Sequence, residues 1–295
     1  MKKYLIVGAS GFVGGNILSI LPSKIDITII TSNKKKILER LKIKKFSKVL
    51  IKKYVFISSK NKKKIQEQDV IINCTGIWHN LKNNKKIILL NYKLPKKLFD
   101  LSLNQSTKKF ININTLLKNR ESIYVKYKHK LSDYLRKNKG NTSVIDLHVS
   151  HLYGDIRNKK GFIENIIVKI LKNRKILKLT KGQQKRDFLH IKDFKKLFLK
   201  ILKFEPNKKY HKFEIGNYKS HSIKSIILLI KKITSSDINI DFGFYNYKKG
   251  EDFKMKSSIK TLGNVNWRPK ILVKTGIKLL FKEIKNSINH YKHLG

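Results

Sequence analysis

The segment Gly8-Ala9-Ser10-Gly11-Phe12-Val13-Gly14 constrains this chain more than any other, because it follows the apolar run Tyr4-Leu5-Ile6-Val7 and opens a stretch with helical spacing. A strand that turns at once into a helix through such glycines is the phosphate-cradling turn of a doubly wound α/β sheet. The early glycines permit a tight turn and close approach of the main chain to a pyrophosphate. Gly14 lets the helix pack against the strand. The anion then lies on the helix N-terminus, where free N–H groups and the helix dipole favour it. With 15 glycines in 295 residues, this spacing should arise by chance in only ~0.04 places per chain.

The rest of the first half agrees with that turn. Residues 27–30, 70–73, 110–113 and 144–149 read as further strands, and residues 13–20, 34–41, 89–103 and 124–137 carry apolar side chains at helical spacing between them. Alternation of this kind predicts a Rossmann-type α/β fold, a doubly wound parallel sheet with helices on both faces. Beyond about residue 155 the order loosens into helices at 163–171, 194–202 and 223–233, short strands near His190 and at 213–215, and a last helix from Thr275. The expected division is therefore a dinucleotide-binding domain over 1–155 carrying the catalytic helix, and a smaller, mixed substrate-binding lobe over 156–295 packed on it.

Charge and cysteine content narrow the setting. The formal net charge is +49, yet only seven of the 68 basic residues are arginine and the lysines are spread over almost every segment. A nucleic-acid surface would concentrate charge on one face with arginine forks and stacking aromatics, so no specific nucleic-acid partner is expected. The single cysteine, Cys74, excludes an internal disulfide and a multi-cysteine zinc site. The nine histidines are dispersed, and His148 and His151 lie on a strand-to-loop stretch, so no metal site is expected. No apolar run approaches the ~20 residues of a spanning helix, and the N-terminus lacks a signal-peptide pattern. These features point to a cytoplasmic protein without membrane insertion.

Tyr-x-x-x-Lys occurs three times, but only Tyr124/Lys128 follows a strand end and opens a helix on the carboxyl edge where doubly wound sheets bind ligands. Four residues of helix place phenol and ammonium on one face. A nearby cation is expected to lower the phenol from about 10 toward the working range, so that Tyr124 can exchange a proton with a substrate hydroxyl or carbonyl. Thr115, at the end of the preceding strand, is placed to hydrogen-bond the same oxygen. Gly8, Ser10, Gly11, Phe12, Val13, Gly14, Thr75, Gly76 and Lys128 form the expected cofactor-binding set with Ser32, Asn33 and Lys34. The second strand ends Thr31-Ser32-Asn33-Lys34, with no acidic residue to hold the adenosine ribose hydroxyls. That absence predicts NADP as cofactor in preference to NAD, with Lys34 or Lys35 neutralising the 2′-phosphate.

The glycine spacing resembles that of extended short-chain dehydrogenases/reductases. Phe110-Ile-Asn-Ile-Asn-Thr115, Tyr124-Val-Lys-Tyr-Lys128, Leu152-Tyr153-Gly154 and Gly182-Gln-Gln-Lys-Arg186-Asp187-Phe188-Leu-His-Ile-Lys-Asp193 follow in the order found in the NAD-dependent epimerase/dehydratase family. The resemblance runs from about residue 2 to 284. The short gap between Thr115 and Tyr124 and the 182–193 segment are most similar to nucleotide-sugar 4-reductases of the CDP-abequose synthase type. The resemblance implies an NAD(P)-dependent enzyme reducing the 4-keto group of a CDP- or dTDP-linked deoxysugar for surface polysaccharide precursors, with a nucleotide-sugar 4-epimerase or a non-catalytic nucleotide-binding regulator as alternatives. It implies that Arg186 grips the sugar nucleotide's diphosphate, that Lys248, before Gly250-Glu251, makes a second basic contact, and that helices 89–103 and 124–137 join a homodimer. Two departures bear on the substrate side: His148 stands where relatives have arginine, and Gly154-Asp155 replaces Gly-Pro.

Overall fold

The computed structural model describes residues 1–42, 45–52, 67–77, 84–137, 140–158, 161–172, 176–263 and 265–292. The chain divides into two compact units, Met1–His148 with Phe198–Phe213, and Val149–Leu197 with Glu214–Gly295.

In the first unit, β1 (Lys3–Val7), β2 (Asp26–Ile30), β3 (Lys48–Lys52), β4 (Val70–Asn73), β5 (Lys109–Thr115), β6 (Ser143–Val149) and β10 (Tyr210–Ile215) supply a parallel seven-stranded sheet. Its order is β10-β6-β5-β4-β1-β2-β3. Leu5, Ile6 and Val7 are fully buried because a central parallel strand is covered on both faces, which is why β1 reads as an unbroken apolar run. The chain runs outward from β1 to β3 and then returns to the other side of β1 at β4. That reversal leaves a crevice beyond the carboxyl ends of β1 and β4, the place where open α/β sheets take ligands. Register aligns Val7 with Ile30 and Asn73, and Asn73 with Asn112. The residues that follow them, Gly8, Thr31, Cys74 and the end of β5, therefore lie along one edge.

The helices of this unit are α1 (Phe12–Leu18), α2 (Lys34–Leu41), α3 (Asn84–Ile88), α4 (Leu94–Leu103) and α5 (Ile123–Arg136). Leu98 and Phe99 of α4 and Leu131 and Leu135 of α5 bury against Leu5, Ile71, Phe110 and Val144 in one core. Each such side chain contributes about 1.5–3 kcal/mol relative to exposure. The spacing over 89–103 predicts one continuous helix, whereas a π-helical turn, Leu89–Lys93, joins α3 to α4. Pro95 sits in the first turn of α4 and has no N–H to return to residue 91. The wider turn also frees Asn91, whose side chain accepts from Ile77 N–H (3.2 Å) and donates to the Ile77 and Ile87 carbonyls (3.0 Å each).

The second unit contains two small sheets. In one, β9 (Lys185–His190) pairs parallel with β7 (His151–Tyr153) and antiparallel with β11 (Ser220–Ser222); in the other, β8 (Ile176–Leu179) pairs parallel with β12 (Asn239–Phe242). Its core gathers Ile163, Ile166 and Ile167 of α6 (Phe162–Leu171), Ile226, Ile227 and Ile230 of α8 (Ile223–Thr234), and Ile277 and Leu280 of α9 (Val273–Lys292). The remaining helix, α7 (Ile191–Lys203), has residues in both units. No helix among the described residues is long and apolar enough to cross a membrane.

Candidate active site

The glycine turn has the form its sequence requires. Gly8 has φ +83°, a conformation L side chains rarely adopt, and a Cβ there would lie 2.8 Å from the Cys74 carbonyl oxygen. A Cβ on Gly14 would overlap the Gly8 carbonyl, so α1 packs against the turn only with glycine at that position. Gly11 N–H donates to the Gly8 carbonyl (3.0 Å), which closes the turn. The helix it opens carries neither a side-chain cap nor an acidic residue in its first turn. A main chain stripped of side chains beside a helix start without negative charge fits a dinucleotide's pyrophosphate. Ser10, Phe12 and Val13 line the same turn and are half-buried.

Past the end of β2, Ser32, Asn33 and Lys34 are exposed. Asn33 caps α2 by accepting Lys36 N–H at 2.9 Å, so its carbonyl oxygen is occupied. A cation absent from the sequence expectation enters instead. Arg40 Nη1 donates to the carbonyls of Ala9 (2.6 Å) and Gly11 (3.0 Å), and a Cβ on Gly15 would land on its guanidinium.

Thr115, Tyr124, Lys128, Thr75 and Gly76 come together past the ends of β4 and β5. Lys128, buried on α5, donates from Nζ to the carbonyls of Thr75 (2.6 Å) and Ile113 (2.7 Å). A Cβ on the exposed Gly76 would stand 3.6 Å from the same Nζ, so the ammonium reaches the open edge. Burial pushes the Lys128 ammonium down to about 8, opposed by the charge of Asp146 and by Cys74. Burial pushes the Cys74 thiol up to about 12.

The Tyr124 hydroxyl is hydrogen-bonded to Thr115, and burial pushes it up to about 12 against that bond. The Tyr-x-x-x-Lys spacing predicts a phenol lowered by its lysine; the phenol is raised, because the ammonium is turned to backbone carbonyls and desolvation dominates. Thr115 Oγ1 also accepts Leu117 N–H at 3.2 Å, which fixes its rotamer.

Behind this edge runs a buried polar cluster that the sequence reading passed over. Asn73, Asn112 and Asp146 are fully buried and Asn114 nearly so. The signal was present in the strands themselves, since Phe110-Ile-Asn-Ile-Asn and Ile145-Asp-Leu-His place polar side chains at every second residue of otherwise apolar runs. His148, in the place where arginine was expected, is bonded to Asp146 (2.9 Å) and Ser132 (3.1 Å).

Arg186 and Lys248 belong to the second unit. Arg186 is buried and donates to the carbonyls of Lys185 (2.9 Å) and Asp252 and to the carboxylate of Glu251. Lys248 is exposed, and its carbonyl accepts Glu251 N–H at 3.1 Å. His151 lies beside Arg186; its ring packs on Phe188 at 5.7 Å, and burial with the neighbouring guanidinium charge pushes it down to about 4. Its Nε2 is buried with no hydrogen-bond partner among the described residues. Asp187 accepts backbone N–H groups of Asn217 (2.7 Å), Tyr218 (3.2 Å) and Ser257 (3.1 Å), and Asp193 those of Lys270 (2.9 Å) and Ile271 (2.7 Å). Both aspartates brace loops. Among the described residues no group of three or more His, Cys, Asp or Glu gathers as a metal site.

A family model described as the NAD dependent epimerase/dehydratase family matches residues 4–216. The CDP-abequose synthase of Salmonella muenchen is 28% identical over 297 residues, covering 94% of this chain and 96% of that protein. The one from Salmonella typhimurium is 25% identical over 308 residues, covering 96% and 99%. Among solved structures, the UDP-glucuronic acid 4-epimerase of Bacillus cereus in complex with UDP-glucuronic acid and NAD superposes with a TM-score of 0.83 at 19% identity, covering 97% of this chain and 99% of that one. The UDP-N-acetylglucosamine 4-epimerase of Methanobrevibacter ruminantium gives 0.82 at 18%, with the same coverage.

Proposed function

Because the chain belongs to the NAD-dependent epimerase/dehydratase family, we propose that it is a nucleotide-sugar 4-reductase that acts on the 4-keto group of a CDP- or dTDP-linked deoxysugar with NADPH. The observation that carries the reading is that the Tyr124 hydroxyl is bonded to Thr115, with Lys128 of the same helix held on the carbonyls of Thr75 and Ile113, at the edge that Gly8, Thr75 and Gly76 leave open. Similarity to CDP-abequose synthases over nearly the whole chain supports the 4-keto substrate.

The reduced nicotinamide, when bound, supplies the hydride that reaches sugar C4. Thr115 orients the C4 oxygen through its hydroxyl. Tyr124 gives that oxygen its proton as the hydride arrives. Lys128 uses two of its three N–H bonds on the carbonyls of Thr75 and Ile113 and would have the third to hold the cofactor's ribose. Arg186 is the anchor for the diphosphate, its planar fork exchanging the Glu251 carboxylate for phosphate oxygens. Lys248 adds an exposed charge to the same substrate. NADPH is preferred over NADH because the end of β2 offers no carboxylate, and a homodimer forms through α4 and α5.

A second reading, a 4-epimerase, is favoured by the epimerase structures that share the fold. An epimerase would interconvert a saturated sugar nucleotide with no net consumption of cofactor. The test is to incubate the protein with NADPH and a panel including CDP-4-dehydro-3,6-dideoxyglucose, dTDP-4-ketosugars and UDP-hexoses while following reduced-cofactor absorbance. Stoichiometric oxidation with a 4-ketosugar is expected. NADPH left untouched, with a UDP-hexose epimerised, overturns the reductase reading and leaves the family intact.

A further inference from the structure

We propose that Asp146, which touches neither the catalytic edge nor solvent, is the positioning residue for that edge, fixing Lys128 and Thr115 from behind the sheet through two chains of buried side chains. The inference rests on the reading of Lys128 and Thr115 as site residues.

Asp146 sits at the middle of β6 with no exposed surface. A carboxylate in such a place is tolerated only when its oxygens are filled. Asn112 Nδ2 donates to it at 2.7 Å, His148 Nε2 lies at 2.9 Å, the Tyr210 hydroxyl at 2.8 Å, and the Ser132 hydroxyl is closer still. Burial alone would raise this carboxyl; the His148 charge and the bonds from His148, Ser132 and Tyr210 hold it below the usual carboxylate range. The carboxyl group thus sits in the core among four hydrogen-bonding partners, an arrangement that stability alone does not call for. An apolar residue at a central strand position serves packing as well or better.

What the charge organises is visible in its two chains. In the first, Asn112 Nδ2 points at Asp146, so Asn112 Oδ1 faces the other way and accepts Asn73 Nδ2 at 2.7 Å. Asn73 Oδ1 in turn accepts the Thr75 backbone N–H (3.2 Å) and hydroxyl (2.6 Å). That holds the residue whose carbonyl receives the Lys128 ammonium. In the second, Ser132 passes the carboxylate's orientation to Asn114, whose Nδ2 donates to Ser132 Oγ at 2.6 Å. Asn114 Oδ1 then accepts Thr115 N–H at 2.8 Å. Each asparagine amide has one orientation that satisfies its neighbours, and the carboxylate, an acceptor only, sets that orientation for both chains. Asp146 also acts through space, raising Lys128 against the burial that lowers it. The ionisable groups facing Lys128 are Asp146 and Cys74; those around Asp146 are His148 and Tyr210, with His129 close to His148.

The test measures NADPH affinity by fluorescence from pH 6 to 9, and kcat and KM for the sugar nucleotide, in Asp146→Asn. Losing the charge should move the pH above which NADPH affinity falls toward acid by roughly one unit. At neutral pH kcat should drop about tenfold or more, with KM changed less than about threefold. Glu205→Gln is the control: it removes the partner of another lysine on the same sheet, Lys109 at 3.0 Å, and should leave the NADPH profile in place. Should Asp146→Asn fail to fold by thermal melting, Asn112→Ser interrupts the first chain while the charge stays, and the same selective loss of kcat is expected. A folded variant of either kind with wild-type kcat and pH profile overturns the proposal. Lys128→Met separates the two levels. If it turns over and binds NADPH normally, the reading of the site has failed; if it is crippled while folded Asp146→Asn is not, only the role of Asp146 has failed.

Discussion

Lys128 in the first unit and Arg186 in the second are both buried cations, and the two units hold them by opposite means. Lys128 contacts the carbonyls of Thr75 and Ile113, with its counter-charge, Asp146, set further back. Arg186 meets a carboxylate directly, that of Glu251, along with two carbonyls. A cation met by dipoles keeps a labile proton, and Lys128 has been pushed down to about 8. A guanidinium stays charged and offers a planar fork whose anionic partner can be exchanged. The first arrangement suits a group beside chemistry and the second a group that holds an anion.

The comparison breaks most easily at Tyr124, where the first unit's chemistry is concentrated. Tyr124→Phe should lower turnover by about 10²–10⁴-fold while NADPH binding, followed by fluorescence, survives. Retained turnover would move the proton elsewhere. At the other cation, Arg186→Ala should raise KM for the sugar nucleotide about tenfold, roughly 1.4 kcal/mol of binding, with kcat changed less. An unchanged KM would end the diphosphate role and leave the first unit's chemistry standing.

The second unit also holds an acid whose charge is poorly met, which sharpens the contrast with Asp146. Glu164 is buried, accepts Gly154 N–H at 3.0 Å through one oxygen, and has no partner for the other among the described residues. Burial pushes it up to about 7 from 4.5. Between those values the folded chain holds the proton that the unfolded chain releases, so stability falls as pH rises through the window and the full penalty is present above it. Glu164→Gln should melt a few degrees above wild type at pH 8, for about 1–3 kcal/mol, and close to wild type at pH 5. An equal gap at both pH values would mean that the titration is not responsible. The smallest effect expected is at the cofactor's adenosine end, where kcat/KM should favour NADPH over NADH severalfold; equal or better use of NADH would remove the preference.

Most of the first unit was legible because its signals are local. The glycine turn, the apolar run of β1 and the four-residue spacing of Tyr124 and Lys128 lie within short windows, and each sits where its pattern implied. The π-helical turn was missed because helical periodicity over 89–103 is unbroken in one dimension, while Pro95 and the bonds of Asn91 act across the turn. The polar cluster was missed because its contacts are distant in sequence, 39 residues from Asn73 to Asn112 and 34 from Asn112 to Asp146. Arg40 reaches back 31 residues to Ala9, and a lysine-rich chain gives no local sign of which cation does so. In the second unit the short strands β7, β8, β11 and β12 were left largely unread, since three or four residues make no measurable alternation.

The most direct measurement of the reductase reading is hydride transfer itself. NADPH deuterated at nicotinamide C4, on each face in separate reactions, is incubated with the protein and CDP-4-dehydro-3,6-dideoxyglucose, and the product is examined by mass spectrometry and NMR. One of the two cofactors should leave a single deuterium at sugar C4, with an equal amount of oxidised cofactor formed and Tyr124→Phe nearly inactive. A 4-ketosugar recovered unlabelled with both cofactors, while a UDP-hexose is epimerised without consuming either, would contradict it.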